Sequence, residues 1–321
     1  MTTVTQRTQW PALVVAGPTG SGKSELALLL AESFQGEIVN CDSIQVYRGL
    51  EIGSAKLPGA ARRGVPHHLL DILDIDQELT AGAYARLARE TMRQVRERGH
   101  VPMVTGGTGF YIRALFDGLS PAPVRDEALR RRLHGLAERR PAALHRFLRM
   151  HDPVAARRIH ANDRQKLIRA LEITLAGGRS ASETQAAPRN RLEDFAVLKL
   201  GLAPPRDRLY ERLDRRSAAL FEEGLLEETR GLLEGGARPG DKALQSLGYK
   251  QAVAVLAGRL KLDEAIRECQ AKTRQYAKRQ MTWFRHEPGI EWLEGFGFDA
   301  AVQQQARGIA GAFIERFASG G

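Results

Sequence analysis

The 321-residue sequence is poor in cysteine and has no long apolar run. Cys41 and Cys269 are its only cysteines, too few for a disulfide framework or a thiolate zinc site. No apolar stretch approaches the roughly 20 residues that a membrane-spanning helix needs. The first residues, MTTVTQRTQW, lack the basic and then apolar order of a signal peptide. We therefore expect a cytoplasmic protein with reduced thiols and no membrane partner.

Length and composition are typical of a globular protein with two units. Apolar residues make up 43% and charged residues 27% of the chain, and its length exceeds that of a usual single domain. Internal repeats and long low-complexity tracts are absent from the sequence. No helical pattern forms a clear dimer interface, so a monomer is the default expectation.

Positive charge is concentrated in two segments. The formal net charge is +10. Residues 125–189 contain fifteen Lys or Arg against seven Asp or Glu, and residues 267–285 contain six against one, which leaves the rest of the chain at −3. Concentrated basic charge is typical of a surface that binds a polyanion, and a nucleic acid is the leading candidate. The alternative is that each segment is simply a solvated basic helix surface.

The stretch ALVVAGPTGSGKSELALLL, residues 12–30, contains a phosphate-binding motif. Its eight residues from 17 to 24 match G-x-x-x-x-G-K-[ST], in which backbone N–H groups of a turn and of a helix N-terminus converge on phosphate oxygens. An apolar run before the turn predicts a strand, and apolar residues at helical spacing after it predict a helix. Those helical residues are Leu26, Leu29, Leu30 and Phe34. The predicted phosphate ligands are Gly17, Pro18, Thr19, Gly20, Ser21, Gly22, Lys23 and Ser24.

Strand-like and helical patterns alternate from residue 12 to about residue 116. EIVNC, HLLDIL and VPMVT predict strands, and residues 80–99 predict an amphipathic helix that begins at a Thr80 cap and ends at Gly99. Its predicted buried face consists of Tyr84, Leu87, Ala88, Met92 and Val95. This alternation predicts an α/β fold, a parallel sheet of phosphate-loop type flanked by helices. Ligands of such sheets bind at the carboxyl ends of the strands.

A helical insertion interrupts this pattern. SPAPVRD predicts a hinge after Gly118, helices follow to about Gly178, and RSASETQAAPRN predicts a linker. FAVLKLGL then predicts a strand that returns to the sheet, and IEWLE predicts one more strand among C-terminal helices. We therefore predict a core formed by residues 1–119 and 191–321, with an all-helical insertion at residues 120–190.

The other strand ends must identify the phosphate chemistry, because a phosphate loop alone occurs in kinases, NTPases and other transferases. CDSIQVY places Asp42 after the second predicted strand, and GGTGFY places Thr108 after VPMVT. Both are expected at the same sheet edge as the phosphate loop. VPMVT ends in Thr-Gly-Gly, so the metal-holding aspartate of many nucleotide hydrolases has no candidate there.

Five motifs, in this order and spacing, resemble those of the bacterial tRNA dimethylallyltransferase family, also called tRNA isopentenyltransferase. They are GPTGSGKS, DSIQVY, GGTGFY, SLGYKQ and AKRQMTWFR, and the resemblance extends from about Leu13 to Trp292. It implies transfer of a dimethylallyl group from dimethylallyl diphosphate to N6 of the adenosine immediately 3′ of the anticodon, in tRNAs that read codons beginning with U. The implied partner is the tRNA anticodon stem-loop, and the implied cofactor is Mg²⁺ held with help from Ser24.

The resemblance also implies catalytic roles. Lys23 and Arg216 would stabilise the diphosphate leaving group, although the neighbouring Arg215 is an alternative and an exposed helix arginine is another. Asp42 would accept the proton of the adenine amine. Its alternatives are a helix cap and a magnesium-binding aspartate.

Two threonines complete the implied catalytic set. Thr19 and Thr108 would supply hydroxyl groups for hydrogen bonds near the reacting groups. The alternative for each is that it only stabilises its tight turn.

An adenine within an anticodon loop must be flipped out before a deep site can reach it. DSIQ could contact the edge of that base, while the two basic segments would contact the RNA backbone. On a helix Arg267, Arg274, Lys278 and Arg285 fall within about 20° of one another, which predicts one basic stripe. The implied tRNA-binding residues are Asp42, Ser43, Ile44, Gln45, Thr108, Arg130, Gln165, Lys166, Leu167, Ile168, Arg169, Ser246, Gly248, Tyr249, Lys250, Gln251, Arg274, Lys278, Arg279 and Arg285.

Two other functions compete with this one. A phosphate-loop kinase with a helical lid would fit the opening strand, loop and helix, but it leaves the basic stripe and the GGTGFY strand end unexplained. An RNA-binding ATPase-like module would bind RNA in a nucleotide-dependent way and form no covalent product.

Overall fold

The computed structural model describes residues 9–123 and 126–318, which form two compact units. The sheet unit runs to Phe116 and resumes at Leu192, and the helical unit is Asp117–Arg191. The start of the N-terminal segment MTTVTQRTQW, for which no signal peptide is expected, and residues Val124 and Arg125 of the expected hinge lie outside the described residues.

The sheet unit contains a parallel sheet in the order β3-β2-β4-β1-β5-β6. Val14 of the central strand pairs with Val104 on one side and Lys199 on the other. Because β2, β4 and β1 are neighbours, the loops that follow them meet at one sheet edge. The strands are β1 Trp10–Ala16, β2 Gly36–Asn40, β3 His67–His68, β4 Val101–Gly106, β5 Phe195–Leu202 and β6 Ile290–Leu293.

Helices cover the sheet, which explains why β1, its central strand, is apolar throughout. β1 is buried from Pro11 to Ala16, as expected for a parallel strand covered on both faces. Helices α1 (Lys23–Ser33) and α13 (Ala300–Ala318) pack into one cluster with alternate residues of β1. Helix α2 (Ala81–Glu97) packs against β2 and β4 and contributes nothing to that cluster. The predicted α/β fold is confirmed.

Helix α2 begins at the predicted cap. The Thr80 hydroxyl accepts a hydrogen bond from the Ala83 amide at 3.1 Å. Tyr84 is fully buried and stacks on Tyr111 of α3 (Gly109–Phe116), with 4.3 Å between the ring centroids. Leu87 was expected on the buried face but is 44% exposed, so that prediction is wrong; alanines fill the face instead.

The predicted strand HLLDIL is wrong beyond its first residue. Strand β3 is His67–His68, and Leu69 then adopts the left-handed region with φ 60°. The end of β2 and the loop after it supply hydrogen bonds that replace a longer ladder. Asn40 Nδ2 donates to the Leu69 carbonyl at 3.0 Å, and the Ile72 amide donates to the Val46 carbonyl at 2.8 Å. Because these backbone groups already have hydrogen-bond partners, the chain can leave the sheet edge.

The chain after β5 is mainly helical, as predicted, and it returns once to the sheet as β6. Helix α9 packs along α12, the long helix that carries the second basic segment. The helices of this region, besides α13, are α9 Arg206–Glu222, α10 Leu225–Glu234, α11 Tyr249–Leu256 and α12 Leu262–Arg285.

The helical unit has its own core, in which Leu144, Leu148 and Leu171 are fully buried. Asp126, Asp152 and Asp163 cap three of its helices with their side chains. The helices are α4 Glu127–Arg139, α5 Ala143–His151, α6 Pro153–Arg158, α7 Arg164–Ala176 and α8 Ala181–Ala186. Across both units, none of the helices in the described residues has the length and apolar character needed to cross a membrane.

Candidate active site

The phosphate loop forms one wall of a cavity of about 300 Å³, here called the loop cavity. Gly20 and Gly22 have φ values of 77° and 86°, which residues with a Cβ disfavour. Gly22 directly precedes α1, so the loop leads into a helix N-terminus that favours anions. Of the eight predicted ligands, five line this cavity, whereas Gly17, Pro18 and Ser21 do not. The five are Thr19, Gly20, Gly22, Lys23 and Ser24.

A second cavity of about 370 Å³, here called the central cavity, adjoins the loop cavity. Thr19, Asp42, Ser54 and Arg216 line both cavities. The rest of the central wall is partly apolar: Leu213, Leu220 and Leu247 line it together with hydroxyl, amide and guanidinium side chains. The two cavities therefore provide a polar and a partly apolar compartment that meet at four residues.

Lys23 is the first residue of α1 and lies half-buried at the loop cavity. Its Nζ donates a hydrogen bond to the Pro18 carbonyl at 2.7 Å. Burial lowers the pKa of Lys23 to about 8, with the nearby Asp42 carboxylate opposing the shift and Arg216 adding to it. An anion in this cavity would restore the usual preference of Lys23 for the charged form.

Two arginines of α9 supply further positive charge. Arg212 and Arg216, one helical turn apart, both line the loop cavity, whereas Arg215 is exposed and lines neither cavity. Burial lowers the pKa of Arg216, and the charge of Arg212 adds to that effect. Within the described residues neither arginine has an acidic group within 4.0 Å. Together with Lys23 they form an anion-binding arrangement.

Sequence reasoning did not identify Arg212, although its spacing of four residues from Arg216 was a usable signal. Its guanidinium lies 4.7 Å from the centroid of the Phe298 ring. Its Nε is buried and has no hydrogen-bond partner among the described residues. The stacking fixes the side chain, and an unpaired donor remains.

Asp42 lies at the junction of the two cavities. Its Oδ1 accepts hydrogen bonds from the Ile44 amide at 2.8 Å and from the Gln45 amide at 3.4 Å. The carboxylate therefore closes its own turn, and because no helix begins at these described residues, the helix-cap alternative is not what the structure has. In the described part of the chain its Oδ2 has no hydrogen-bond donor, so the second oxygen is available as an acceptor.

The end of β4 supports the loop that carries Asp42. The Thr108 hydroxyl accepts a hydrogen bond from the Ser43 amide at 3.2 Å, and the Thr108 amide donates to the Cys41 carbonyl at 3.3 Å. Thr108 lines neither cavity. This geometry matches the alternative in which Thr108 stabilises the turn.

Helix α12 fixes the phosphate loop through Gln280, which sequence reasoning did not single out. Its Oε1 accepts a hydrogen bond from the Thr19 amide at 2.8 Å, and its Nε2 donates to the Gly107 carbonyl at 2.9 Å. The only available signal was its position within AKRQMTWFR. Spatial proximity to Thr19 could not be inferred from that motif.

The rest of DSIQ divides between the cavities. Ser43 and Ile44 line the central cavity, and Gln45 lines the loop cavity. Gln45 Nε2 donates to the Ser54 and Ala55 carbonyls at 3.2 and 3.3 Å. Its donor group is thus already used by the protein.

SLGYKQ contributes mainly support. Ser246 lines the central cavity and Lys250 is exposed, but Tyr249 and Gln251 are buried. The Tyr249 hydroxyl accepts from the Gly53 amide at 3.1 Å. Gln251 Oε1 accepts from the amide of Gly248 at 3.0 Å. The buried pair therefore holds loops at the cavity wall and is not exposed to a large ligand.

Two of the four cations of the expected basic stripe on α12 are paired with acidic residues. Arg274 forms a salt bridge with Asp214 of α9, and Arg267 lies 2.8 Å from the acidic residue four positions before it. Lys278 and Arg285 are exposed, and no acidic group within the described residues pairs with them. The neighbouring Arg279 is exposed and lines the central cavity. Helical spacing placed the cations correctly, but it could not show the acidic partner on α9.

The predicted contacts of the helical unit differ in accessibility. QKLIR opens α7, where one side of the helix faces the core of the unit. The side chains buried in that core are unsuited to contact a large ligand. Of the predicted residues, Gln165 and Lys166 are exposed, and Leu167 and Ile168 belong to the core. Arg130 and Arg169 pair with Glu172, at 3.8 and 3.5 Å.

Curated relatives match nearly the whole chain. The tRNA dimethylallyltransferase of Solibacter usitatus is 53% identical over 304 residues, which cover 95% of this chain and 99% of the relative. Those of Koribacter versatilis and Geobacter sulfurreducens are 51% and 47% identical and cover 92% and 88% of this chain, and 96% and 91% of the relatives.

Solved structures agree with these relatives. The tRNA isopentenylpyrophosphate transferase of Bacillus halodurans is 34% identical, with a TM-score of 0.71 over 97% of this chain and 99% of that one. A eukaryotic dimethylallyltransferase described as acting on tRNA is 31% identical, with a TM-score of 0.82 over 96% of this chain and 80% of that one. The family model for IPP transferase matches residues 45–287. This chain therefore belongs to the IPP transferase family.

Proposed function

We propose that the protein transfers the dimethylallyl group of dimethylallyl diphosphate to N6 of the adenosine immediately 3′ of the anticodon, in tRNAs that read codons beginning with U. The carrying observation is that a cationic loop cavity and a partly apolar central cavity share Asp42, Thr19 and Arg216. An anionic leaving group, a reacting carbon and a proton acceptor can meet there. The names of the relatives support this function over the kinase alternative.

The diphosphate occupies the loop cavity. Lys23, Arg212 and Arg216 surround it with positive charge that the protein does not neutralise with a salt bridge in the described residues. Preorganised cations and amide donors stabilise negative charge most when it accumulates on the leaving group. This is the charge that appears when the allylic C–O bond breaks.

Mg²⁺ fits the loop cavity because its polar lining is rich in oxygen donors. Ser24, Glu25, Asn40 and Asp42 line it, and hydroxyl, carboxylate and amide oxygens suit a hard cation. The described residues contain no cluster of three His, Cys, Asp or Glu that could hold a metal alone. Ser24 would therefore share the ion with diphosphate oxygens and water. When bound, the ion supplies additional positive charge for the leaving diphosphate.

The transfer conserves atoms and charge without a redox partner. The adenine N6 forms a bond to the first carbon of the dimethylallyl group, and the bond from that carbon to the diphosphate oxygen breaks. Asp42 accepts the proton that N6 loses. Oδ2 is the suitable acceptor, because Oδ1 is occupied by the turn amides of Ile44 and Gln45.

The tRNA reaches the central cavity by base flipping. Ser43, Ile44 and Ser246 line that cavity and offer contacts to an adenine edge. Lys278, Arg279 and Arg285 of α12 contact the RNA backbone, as do Gln165 and Lys166 of the helical unit, because these side chains are exposed. Lys166 also pairs with Asp163 at 2.8 Å, and because it is well exposed it can exchange that weak surface pair for a phosphate. We further place the protein in the cytoplasm, since its acceptor is a tRNA and its two cysteines are free and buried. A monomer is the accompanying proposal, since no helical pattern of the sequence forms a clear dimer interface.

A product assay tests this function against both alternatives. The protein is incubated with Mg²⁺, an unmodified tRNA transcript and either dimethylallyl diphosphate or ATP, and the digested tRNA is analysed by mass spectrometry. A dimethylallyl adenosine is expected only with the diphosphate donor. A transcript with guanosine at the target position is the matched control and is expected to give no product.

Other outcomes would reject the proposal. ATP-dependent phosphate transfer to a small acceptor would indicate the kinase. Nucleotide-dependent tRNA binding without any modified nucleoside would indicate the RNA-binding module.

A further inference from the structure

A third cavity, of about 430 Å³, lies between α3 and α12 and belongs to no role described above. Arg113 of α3 forms one wall, and its other lining residues lie on α12 or directly after it. They are Lys278, Arg279, Thr282, Trp283 and His286. Its surface is formed mainly by carbon atoms of these side chains, which is unusual for a cavity lined by so many cations.

The guanidinium group of Arg113 is held in place at this cavity by a stacking contact and by a salt bridge. Its guanidinium lies 4.3 Å from the centroid of the Trp283 ring. Its Nη2 donates to Glu287 Oε2 at 2.8 Å, and that carboxylate side chain is only 2% exposed. Glu287 also pairs with Lys199 at 3.2 Å, so it neutralises Arg113 only in part. It does occupy the Nε and Nη2 donors of Arg113, which leaves fewer donors for a phosphate. A planar group can instead stack on the guanidinium, as bases do on arginine in RNA complexes.

The third cavity is next to the central cavity, because Arg279 lines both. Lys278, which also lines this cavity, is exposed and has no acidic partner in the part of the chain that the structure describes. An exposed cation beside a guanidinium plane matches a nucleotide, which has a charged phosphate and a flat base. The shared Arg279 places such a nucleotide beside the one in the central cavity.

From this geometry we propose that the third cavity binds the base of a nucleotide adjacent to the target adenosine, stacked on Arg113. The inference rests on the proposed function, since it takes the occupant of the central cavity to be the flipped adenosine. Capture of the neighbouring base would offset the stacking that the RNA loses when the adenosine flips. Arg113 would then contribute to RNA recognition through its shape, while Lys278 contributes through its charge.

Binding of anticodon stem-loop RNAs, measured without donor, tests this inference. In two RNAs an abasic nucleotide replaces the nucleotide before or after the target adenosine. Wild-type protein is expected to bind one of these about tenfold more weakly than the intact RNA. In Arg113→Lys, which keeps the charge for Glu287 but loses the plane, the intact RNA should bind about tenfold more weakly. The same abasic change should then have no further effect.

Lys278→Ala is the matched charge control. It should weaken binding of all three RNAs equally, with a smaller salt dependence, and keep the abasic penalty. Thr282→Leu is a second test, because Thr282 is exposed and a larger side chain there fills the cavity without disturbing the core. It too should abolish the abasic penalty. Thermal melting of each variant reports whether the fold is intact. If Arg113→Lys unfolds at a lower temperature than the wild type, the result with Thr282→Leu is the deciding one.

Two results would overturn the inference: wild-type protein that tolerates both abasic nucleotides, or an abasic penalty that persists in folded Arg113→Lys or Thr282→Leu. Dimethylallyl transfer to the intact RNA is measured separately. Absence of that product would refute the proposed function, whereas the abasic comparison bears on the third cavity alone.

Discussion

The backbone amide of Thr19 donates a hydrogen bond to the side chain of Gln280 at 2.8 Å, across a separation of 261 residues. The same side chain donates to the Gly107 carbonyl at 2.9 Å. One amide group of α12 therefore positions the phosphate loop against the end of β4. A Cβ at position 107 would lie 2.2 Å from Gln280 Nε2, so this approach requires glycine there.

Gln280→Leu should lower kcat/KM for dimethylallyl diphosphate by about tenfold or more, because it leaves the part-buried Thr19 amide and the buried Gly107 carbonyl without their partner. Steady-state kinetics and thermal melting check this. Gln270→Leu on the same helix is the matched control, since it removes one hydrogen bond, to the Asp214 carbonyl, outside the loop. Equal kinetics of the two variants would contradict a positioning role for Gln280.

Asp42→Asn should keep the affinity for both substrates and lower kcat by on the order of a hundredfold. The amide oxygen can still accept from Ile44 and Gln45, so the turn is preserved while the proton acceptor is lost. Single-turnover transfer and separate binding measurements distinguish these effects. The control is Asp74→Asn, an exposed carboxylate paired with Arg48. Near-normal turnover by Asp42→Asn would show that the proton goes elsewhere.

Lys23 should make diphosphate binding depend on pH. Burial lowers its pKa to about 8, so in the free protein Lys23 is charged well below pH 8 and neutral well above it. A bound anion favours the charged form and raises that pKa. Affinity should therefore fall as the pH rises above about 8, and binding near pH 9 should take up a proton that binding near pH 7 does not.

Calorimetry with inorganic diphosphate in buffers of different ionisation enthalpy measures this proton uptake. Lys23→Met is the control that separates the lysine from the titration of diphosphate itself. The prediction is wrong if the variant takes up as many protons near pH 9 as the wild type.

Local sequence was sufficient where a structural element depends on its own residues. The phosphate loop, β1, β4 and the Thr80 cap follow from glycines, apolar runs and a hydroxyl next to free amides. HLLDIL has the same apolar character, but its backbone finds partners in the loop after β2. Its residues therefore leave the sheet after His68. The sequence of the segment alone does not show these hydrogen-bond partners.

The candidate site shows the same limit. Motifs identified Lys23 and Asp42, which lie at the cavities, because loop chemistry fixes their positions. Gln280 and the salt bridge of Arg274 to Asp214 depend on how α12 packs against distant segments. A helical projection orders the side chains of one helix, but it contains no information about the helix beside it.

Arg216→Gln should impair diphosphate binding by about tenfold or more, whereas Arg215→Gln should have little effect. Arg216 lines both cavities, and its neighbour is exposed. A cation that contacts a desolvated anion contributes far more than one in water. Binding of inorganic diphosphate to both variants decides between the two arginines. A larger loss in Arg215→Gln would reverse the assignment.

The cations of α12 should separate into those that bind RNA phosphates and those that are already paired. Lys278→Ala and Arg285→Ala should each lower the slope of log affinity against log salt by roughly 0.7 to 0.9, because each phosphate contact releases counterions. Arg274→Ala is the matched control on the same face of the helix. It should leave the slope nearly unchanged, since Asp214 already neutralises Arg274.

Affinity for intact tRNA, measured over a range of salt concentrations, gives these slopes. Binding by the Lys278 and Arg285 variants should weaken by similar factors for different tRNA sequences, because phosphates carry no sequence information. If the slope falls only in Arg274→Ala, the Asp214 salt bridge must open when RNA binds. If it falls in none of the three variants, α12 presents only a solvated face, and the RNA backbone must lie on other basic residues.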